Sequence, residues 1–291
     1  NMAGHTASLL YGAPHVISAH SLEPLRPWKA EQLGSGYAIS SWAEKTAYEG
    51  ASAIIAVSDG MRADVLASYP DVDPKKVVTI RNGVDTQEWS PIDDPSVAES
   101  FGITGRYAIF VGRITRQKGL AHLLRAWSQV PDDYGLLLCA GSADEAGIGA
   151  EFEELVSQLQ KTRKNIWWIK EMLPKSQLIP LLTGADLFLC PSIYEPLGIV
   201  NLEAMACQTA VLASRVGGIP EVVDDGVTGQ LVDFSSDSEI FESNIATGIS
   251  EMMGDPERLK KYGAAGRARA INEFGWDAVA AATIALYRSV L

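Results

Sequence analysis

Six short apolar runs from residue 107 onward constrain this chain more than any other feature. They read "YAIFVG" (107–112), "YGLLLCAG" (134–141), "NIWWIK" (165–170), "ADLFLCPS" (185–192), "TAVLAS" (209–214) and "GQLVDF" (229–234). Each is apolar on both alternating faces, as a parallel strand covered on both sides must be. Between them lie stretches with helical spacing at 119–129, 150–163, 176–184 and 198–207. Strand, helix and strand in this order predict right-handed βαβ units in a doubly wound sheet. Several runs end in Gly, Pro or Ser, and such strand ends form the crevice in which open α/β sheets bind ligands.

Upstream the same grammar appears in shorter form, with strands at 15–20, 53–58 and 76–82 and helices near 36–50 and 58–68. Three strands are fewer than a complete sheet of this class. The first residues, "NMAGHTASLL", read like the middle of a helix with Met2 behind Asn1, so a preceding segment is expected. The expected organisation is a partial N-terminal domain (1–83), a linker rich in Asp, Pro and Ser (84–106), a larger domain (107–274) and a C-terminal helix (275–291) that packs back towards the first domain. After residue 235 the pattern is helical, in "DPERLKKYGAAGRARAINEF" and "WDAVAAATIALYRSVL".

A formal net charge of −12 excludes the electrostatic footprint of a nucleic-acid or anionic-membrane binder, so any anionic ligand must be met by a local cationic pocket. Cys139, Cys190 and Cys207 are odd in number, widely spaced and set among apolar residues, which argues against disulfides and metal clusters and points to a reducing, cytoplasmic setting. No apolar run reaches the roughly 18 residues that span a bilayer, and the start lacks the features of a signal peptide.

Three glycine-bearing strand ends are candidate anion sites: "VGRITRQKG" (111–119), "AGSADEAG" (140–147) and "VGGIPEVV" (216–223). None matches a dinucleotide or P-loop fingerprint. In the first, Arg113 and Lys118 stand between a strand and a helix, where backbone N–H groups, helix dipole and side-chain charge favour a phosphate; two solvated loop cations are the competing reading. In "SIYEPLGIVNLEAMA" (192–206), Pro196 suits the first turn of a helix continued from Gly198 to Ala206. That places Glu195 at the strand end and Glu203 within the helix. Glu195 either caps the helix or holds sugar hydroxyls, and Glu203 is either a solvated charge or an acceptor for a ribose diol.

The ordered set "NGVD" (82–85), "VGRITRQKGL" (111–120), "PSIYEPLGIVNLEAMA" (191–206) and "GGIPEVVDDGVTGQLV" (217–232) resembles the retaining GT-B glycosyltransferases of family 4. "HVISAHSLEPLRPWKAEQLG" (15–34) is most similar to actinobacterial-type glycogen synthases, which build α-1,4-glucan or maltose 1-phosphate from a nucleotide-glucose. The resemblance implies an α/β GT-B fold, with two Rossmann-like doubly wound domains facing a cleft and the first of them incomplete. It implies that Arg113 and Lys118 clamp the donor diphosphate, that Glu195 serves the donor sugar and that Glu203 serves the ribose. The main chain from Leu197 through Gly198 and Ile199 to Val200 meets sugar and phosphate. His20 faces the donor glucose, Asn82 belongs to the interdomain element, and the base lies near Ser142 and Met172. His20 as a buried, satisfied histidine and Asn82 as a turn former are the competing readings. Tyr194, Trp167 and Trp168 read as packing residues.

The resemblance implies glucose transfer from ADP-glucose or a related donor to the 4-hydroxyl of an α-glucan or glucose 1-phosphate, with the nucleotide-sugar as substrate and no cofactor or metal. His5, His15 and His122 form no ligand cluster. A nucleotide-sugar 2-epimerase and a non-catalytic nucleotide or glucan binding module are the alternatives. No nucleic-acid or membrane partner is expected, and a homo-oligomer is compatible with the sequence.

Overall fold

The computed structural model describes all 291 residues, in two compact units, residues 1–83 with 276–291 and residues 84–275. The stretch 84–106, expected as a linker, therefore belongs to the second unit, and the last helix groups with the first.

The first unit contains α1 (Met2–Tyr11), β1 (Val16–Ala19), α2 (Trp28–Leu33), α3 (Gly36–Glu49), β2 (Ala53–Ala56), α4 (Asp59–Ser68) and β3 (Val77–Thr79). Its strands pair in parallel in the order β1-β2-β3. β2 is central and buried at every position. Ser58 starts α4 by accepting a hydrogen bond from the Met61 N–H at 2.8 Å, a local signal that a serine after an apolar run provides. α1 buries none of its residues, and Leu9, Leu10 and Tyr11 are exposed.

The second unit runs through α5 (Pro95–Ser100), β4 (Tyr107–Ile114), α6 (Leu120–Trp127), β5 (Gly135–Ala143), α7 (Ala146–Thr162), β6 (Ile166–Ile169) and α8 (Lys175–Gly184). It continues with β7 (Leu187–Cys190), α9 (Ile199–Ala206), β8 (Ala210–Ser214), α10 (Ile219–Val222), β9 (Gly229–Val232), α11 (Ser238–Met253) and α12 (Pro256–Glu273). The chain then ends in α13 (Trp276–Val290) of the first unit. Six parallel strands lie in the order β6-β5-β4-β7-β8-β9. That order reverses between β4 and β7, and the carboxyl ends of the strands flanking such a switch point open a crevice.

β7 and β8 are buried along their whole length because helices cover both faces. One packed core holds Phe110, Leu123, Trp127, Leu138, Phe152, Leu212, Phe241 and Ile249 together. Trp168 sets its ring edge-on to Phe152, 5.0 Å between centroids, and donates its Nε1–H to the Ala140 carbonyl at 2.8 Å, which gives it a packing role. α11 and α12 begin at Asp237 and Asp255, whose carboxylates accept from the first-turn N–H groups.

α12 approaches α9 and β8 closely at Gly263, where an added Cβ would lie 2.1 Å from the Gln208 carbonyl oxygen; at Gly266 the nearest contact is the flexible Met205 Cγ at 3.2 Å. Helix propensity alone favours alanine over glycine by about 1 kcal/mol at each position. Gly263→Ala is nevertheless expected to destabilise the fold by about 2–3 kcal/mol, as overpacking against a fixed backbone does, and Gly266→Ala to lie within about 1 kcal/mol of wild type. Denaturant unfolding of the two variants checks this.

Candidate functional site

The loops that follow β4 and β7 meet at the switch point. After β4 a single 3-10 turn, Arg116–Lys118, leads through Gly119 into α6. After β7 the chain runs irregularly from Pro191 to Gly198 and enters α9 at Ile199. Pro196 is therefore not the first turn of a helix: Gly198, at φ 95°, forces the chain to turn before α9 can start.

Backbone contacts lock these loops together. The Ile193 N–H donates to the Gln117 carbonyl at 2.9 Å, and the Gly218 N–H donates to the Glu195 carbonyl at 3.0 Å. Gly119 and Gly217 both adopt positive φ, and a Cβ on either would stand 2.0 Å from a carbonyl oxygen, that of Pro191 or Glu195 respectively. The "VGGIPEVV" glycines thus pack against the Glu195 main chain, and the Gly218 N–H is taken by the Glu195 carbonyl.

On this frame Lys118 Nζ donates to Glu195 Oε2 at 2.6 Å, with the two side chains only 18% and 10% exposed. Burial on its own would lower the Lys118 pKa; the Glu195 carboxylate outweighs it and raises the pKa above the usual lysine value. The Ser192 hydroxyl reaches the same carboxylate oxygen at 3.4 Å and is backed by Cys190 Sγ at 3.5 Å, while Ser214 donates to the Ser192 carbonyl. The sequence marked Lys118 and Glu195 separately; their pairing and the backing by Ser214 depend on tertiary structure, whereas Ser192 is a neighbour of Glu195 within one loop.

Glu203 lies on α9, mostly buried, and its carboxyl is pushed up to about 7 by burial, partly offset by the charges of Lys175 and Lys118. Lys175 is itself held by Glu88 at 2.5 Å. A solvated helix charge is therefore the wrong description of Glu203. Leu197 and Gly198 are buried, Ile199 is exposed, and Val200 is half-buried, so the entry to α9 presents backbone and one apolar side chain.

Arg113 follows Gly112 at a register shift in the β4–β5 ladder and is 67% exposed. It is not free: Nη1 binds Asp144 Oδ1 at 2.6 Å, and Arg116 meets Glu145 at 3.4 Å. The "AGSADEAG" strand end is therefore an acidic partner for the neighbouring cations and no anion site of its own. A cavity of about 360 Å³ opens beside Arg113 and takes in Cys139, Gly141, Ser142, Lys170, Met172, Leu173 and Leu178. Ser142 and Met172 meet Arg113 in this cavity; Lys170 and Leu178 were not foreseen, because nothing in their local sequence marks them. Lys170 stacks its ammonium over the Trp168 ring at 4.1 Å.

His20 and Asn82 lie in the first unit. His20 is exposed at the carboxyl end of β1, which rules out the buried-histidine reading, and Asn82 is partly buried after β3. A second cavity, of about 400 Å³ between α6 and α7, is lined by Arg116, His122, Arg125, Glu145 and Glu151. Its charges are mutually paired, Arg125 with Glu151 and His122 with Glu242 at 2.9 Å. No group of three or more His, Cys, Asp or Glu side chains converges in a way that would hold a metal ion. No helix is long and apolar enough to cross a membrane.

Residues 96–269 match the model of "Glycosyl transferases group 1", and residues 1–88 match that of "Glycosyltransferase Family 4". The α-maltose-1-phosphate synthase of Mycolicibacterium smegmatis is 54% identical over 99% of this chain and 76% of its own length. That of Mycobacterium tuberculosis is 50% identical over the same shares. Among solved structures, sucrose-phosphate synthase from Thermosynechococcus elongatus superposes with a TM-score of 0.78 at 26% identity, covering 94% of this chain and 67% of that one. Anabaena Alr3699/HepE in complex with UDP-glucose superposes with a TM-score of 0.81 at 23% identity, covering 100% and 76%, a likeness of fold. The chain belongs to the group 1, family 4 glycosyltransferases of GT-B fold, hexosyltransferases that draw on a nucleotide-sugar.

Proposed function

We propose that the chain is a retaining glucosyltransferase that moves glucose from ADP-glucose to the 4-hydroxyl of glucose 1-phosphate, with an α-glucan end as the other acceptor of the same chemistry. The observation that carries the proposal is the buried Lys118–Glu195 pair at the sheet's switch point. The names of the relatives that are 54% and 50% identical support the phosphorylated acceptor, since maltose 1-phosphate forms when glucose joins glucose 1-phosphate.

In this reading Lys118 and Arg113 stabilise the negative charge that builds on the departing nucleoside diphosphate, Arg113 exchanging Asp144 for phosphate. The leaving diphosphate takes the proton of the acceptor hydroxyl on the face where the new bond forms, so the anomeric configuration is retained without a strong protein base. Glu195 is already engaged by Lys118 and Ser192; it orients the sugar and does not attack it. Glu203 accepts from the ribose diol, the cavity near Ser142 and Met172 takes the base, and the backbone from Leu197 to Val200 meets sugar and phosphate. His20 and Asn82 keep the substrate contacts that the resemblance implies. The nucleotide-sugar is substrate; no metal or cofactor enters the scheme.

Lys118→Ala removes a transition-state charge and leaves Glu195 buried without its partner. We expect kcat/KM to fall at least about 100-fold, with nucleotide release and product formation falling together. Near-normal transfer by Lys118→Ala or Glu195→Ala would overturn the assignment. Turnover of the donor with no acceptor present would favour epimerisation.

Glu203 gives a pH prediction with two arms. Its carboxyl titrates at about 7 in the folded chain, above its ordinary 4.5, so the native state holds the proton more tightly than the unfolded one. This contribution to stability is fully present below about pH 4.5 and is lost as pH rises through 7. Glu203→Gln is expected to be more stable than wild type by about 1–2 kcal/mol at alkaline pH. The nucleotide affinity of the wild type should strengthen as pH rises through 7, whereas that of Glu203→Gln should be weaker and flat. Thermal unfolding and calorimetric titration with ADP across this range measure both arms.

A further inference from the structure

The segment "HSLEPLRPWK" (20–29) is given no role by that reading beyond His20. It leaves the carboxyl end of β1, makes a 3-10 turn at Glu23–Leu25 and enters α2 at Trp28. Two cations stand in its second half. The Lys29 N–H donates to the Arg26 carbonyl at 2.8 Å, a turn that keeps the two Cα atoms within about 7 Å of each other.

Arg26 is anchored from one edge. Its Nη2 donates to Glu23 Oε1 at 3.0 Å, its side chain is 19% exposed, and its buried Nε has no acceptor. Glu23 in turn sits on a fixed base. Its N–H donates to Glu44 Oε1 at 2.8 Å, its carbonyl accepts from the Tyr37 hydroxyl at 3.1 Å, and Tyr69 donates to the same Glu44 oxygen. Burial raises the Glu44 pKa, against the hydrogen bonds it accepts from Tyr69 and the Glu23 N–H. Lys29 is half-buried and makes no ion pair, and His20 is exposed at the start of the segment. Two cations thus stand over Glu23, whose Oε1 is taken by Arg26 and whose buried Oε2 has no donor, with Glu44 beneath it, in a protein whose net charge is −12.

We propose that Arg26 and Lys29 bind the phosphate monoester of a sugar-phosphate acceptor and so select it over a neutral glucan end. The inference rests on the transferase reading and deepens it. A monoester carries close to two negative charges at neutral pH and three acceptor oxygens, which suit a guanidinium with free donors on one edge and an ammonium one turn away. A neutral glucan end would leave Lys29 unpaired and Arg26 with Glu23 as its one anionic partner, and a site built for a charged group discriminates strongly against a ligand that lacks it.

The test uses Arg26→Gln and Lys29→Gln, each assayed with glucose 1-phosphate and with a maltooligosaccharide as acceptor. Calorimetry measures direct binding of glucose 1-phosphate and of ADP. For each variant, KM and Kd for glucose 1-phosphate should rise about tenfold or more, while maltooligosaccharide KM and ADP affinity stay at wild-type values, and Arg26→Lys should recover part of the loss. An unchanged glucose 1-phosphate affinity, a loss shared equally by both acceptors, or a loss of ADP binding would overturn the proposal, the last by assigning the cations to the donor diphosphate. If Arg26→Gln fails to fold, Lys29→Gln decides the matter by the same comparison. Should the wild type bind glucose 1-phosphate in a Lys29-dependent way yet transfer no glucose, the phosphate site stands and the transferase reading fails.

Discussion

A lysine and a glutamate 2.6 Å apart, both largely withdrawn from water, organise the carboxyl edge of the second unit's sheet. Neither charge is tolerable there alone, because desolvation of an unpaired ion costs several kcal/mol. Lys118 reaches the pair from the loop after β4 and Glu195 from the loop after β7, so the pair forms only when the two strands are neighbours at the point where strand order reverses. The sheet topology and the electrostatics of the edge are thus two statements of one constraint. Ser192 and Ser214 extend it downward into the β7–β8 layer, and the Gly119 and Gly217 contacts hold both loops at a fixed distance.

Around this fixed centre the other charges are arranged with graded freedom. Arg113, two-thirds exposed, is paired with a partly exposed Asp144, and exposed pairs of this kind contribute little stability and exchange partners readily. Glu203 lies between the extremes, buried enough to hold its proton near neutrality and close enough to Lys175 and Lys118 to release it. A rigid pair, an exchangeable cation and a poised carboxyl are the three electrostatic elements on which the proposed donor site rests. They arise from three depths in the same edge.

The strands were legible in the sequence because a buried parallel strand leaves little choice of residue, and each of the six apolar runs overlaps one of β4 to β9, with β4 and β5 running two residues further. The helices between them followed from spacing. Short helices were not: α2, α5 and α10 have four to six residues, too few for a period to register, and α5 converts an apparent linker into part of the second unit. Pro196 misled because its fixed φ suits a helix start, whereas the turn is made two residues later at Gly198 in a conformation that sequence spacing does not report. Lys118, Glu195 and Glu203 could be singled out by type and position. Ser192 sits three residues before Glu195 in the same loop, whereas Lys175 near Glu203, Asp144 on Arg113 and the cavity members Lys170 and Leu178 lie on other loops and helices and become neighbours only after folding.

The contrast between the glycine-locked loops and the open cavity beside Arg113 divides this edge into two classes of position with opposite tolerance to sequence drift. At 119 and 217 any side chain collides with a main-chain oxygen, so the space of acceptable residues there is nearly a single point. Ser142 and Met172 are exposed at the rim of the cavity, and their replacement costs the fold almost nothing. Sequence drift in a lineage, or a library built in the laboratory, therefore has its accessible routes through the rim, while the glycine frame is passed on unaltered.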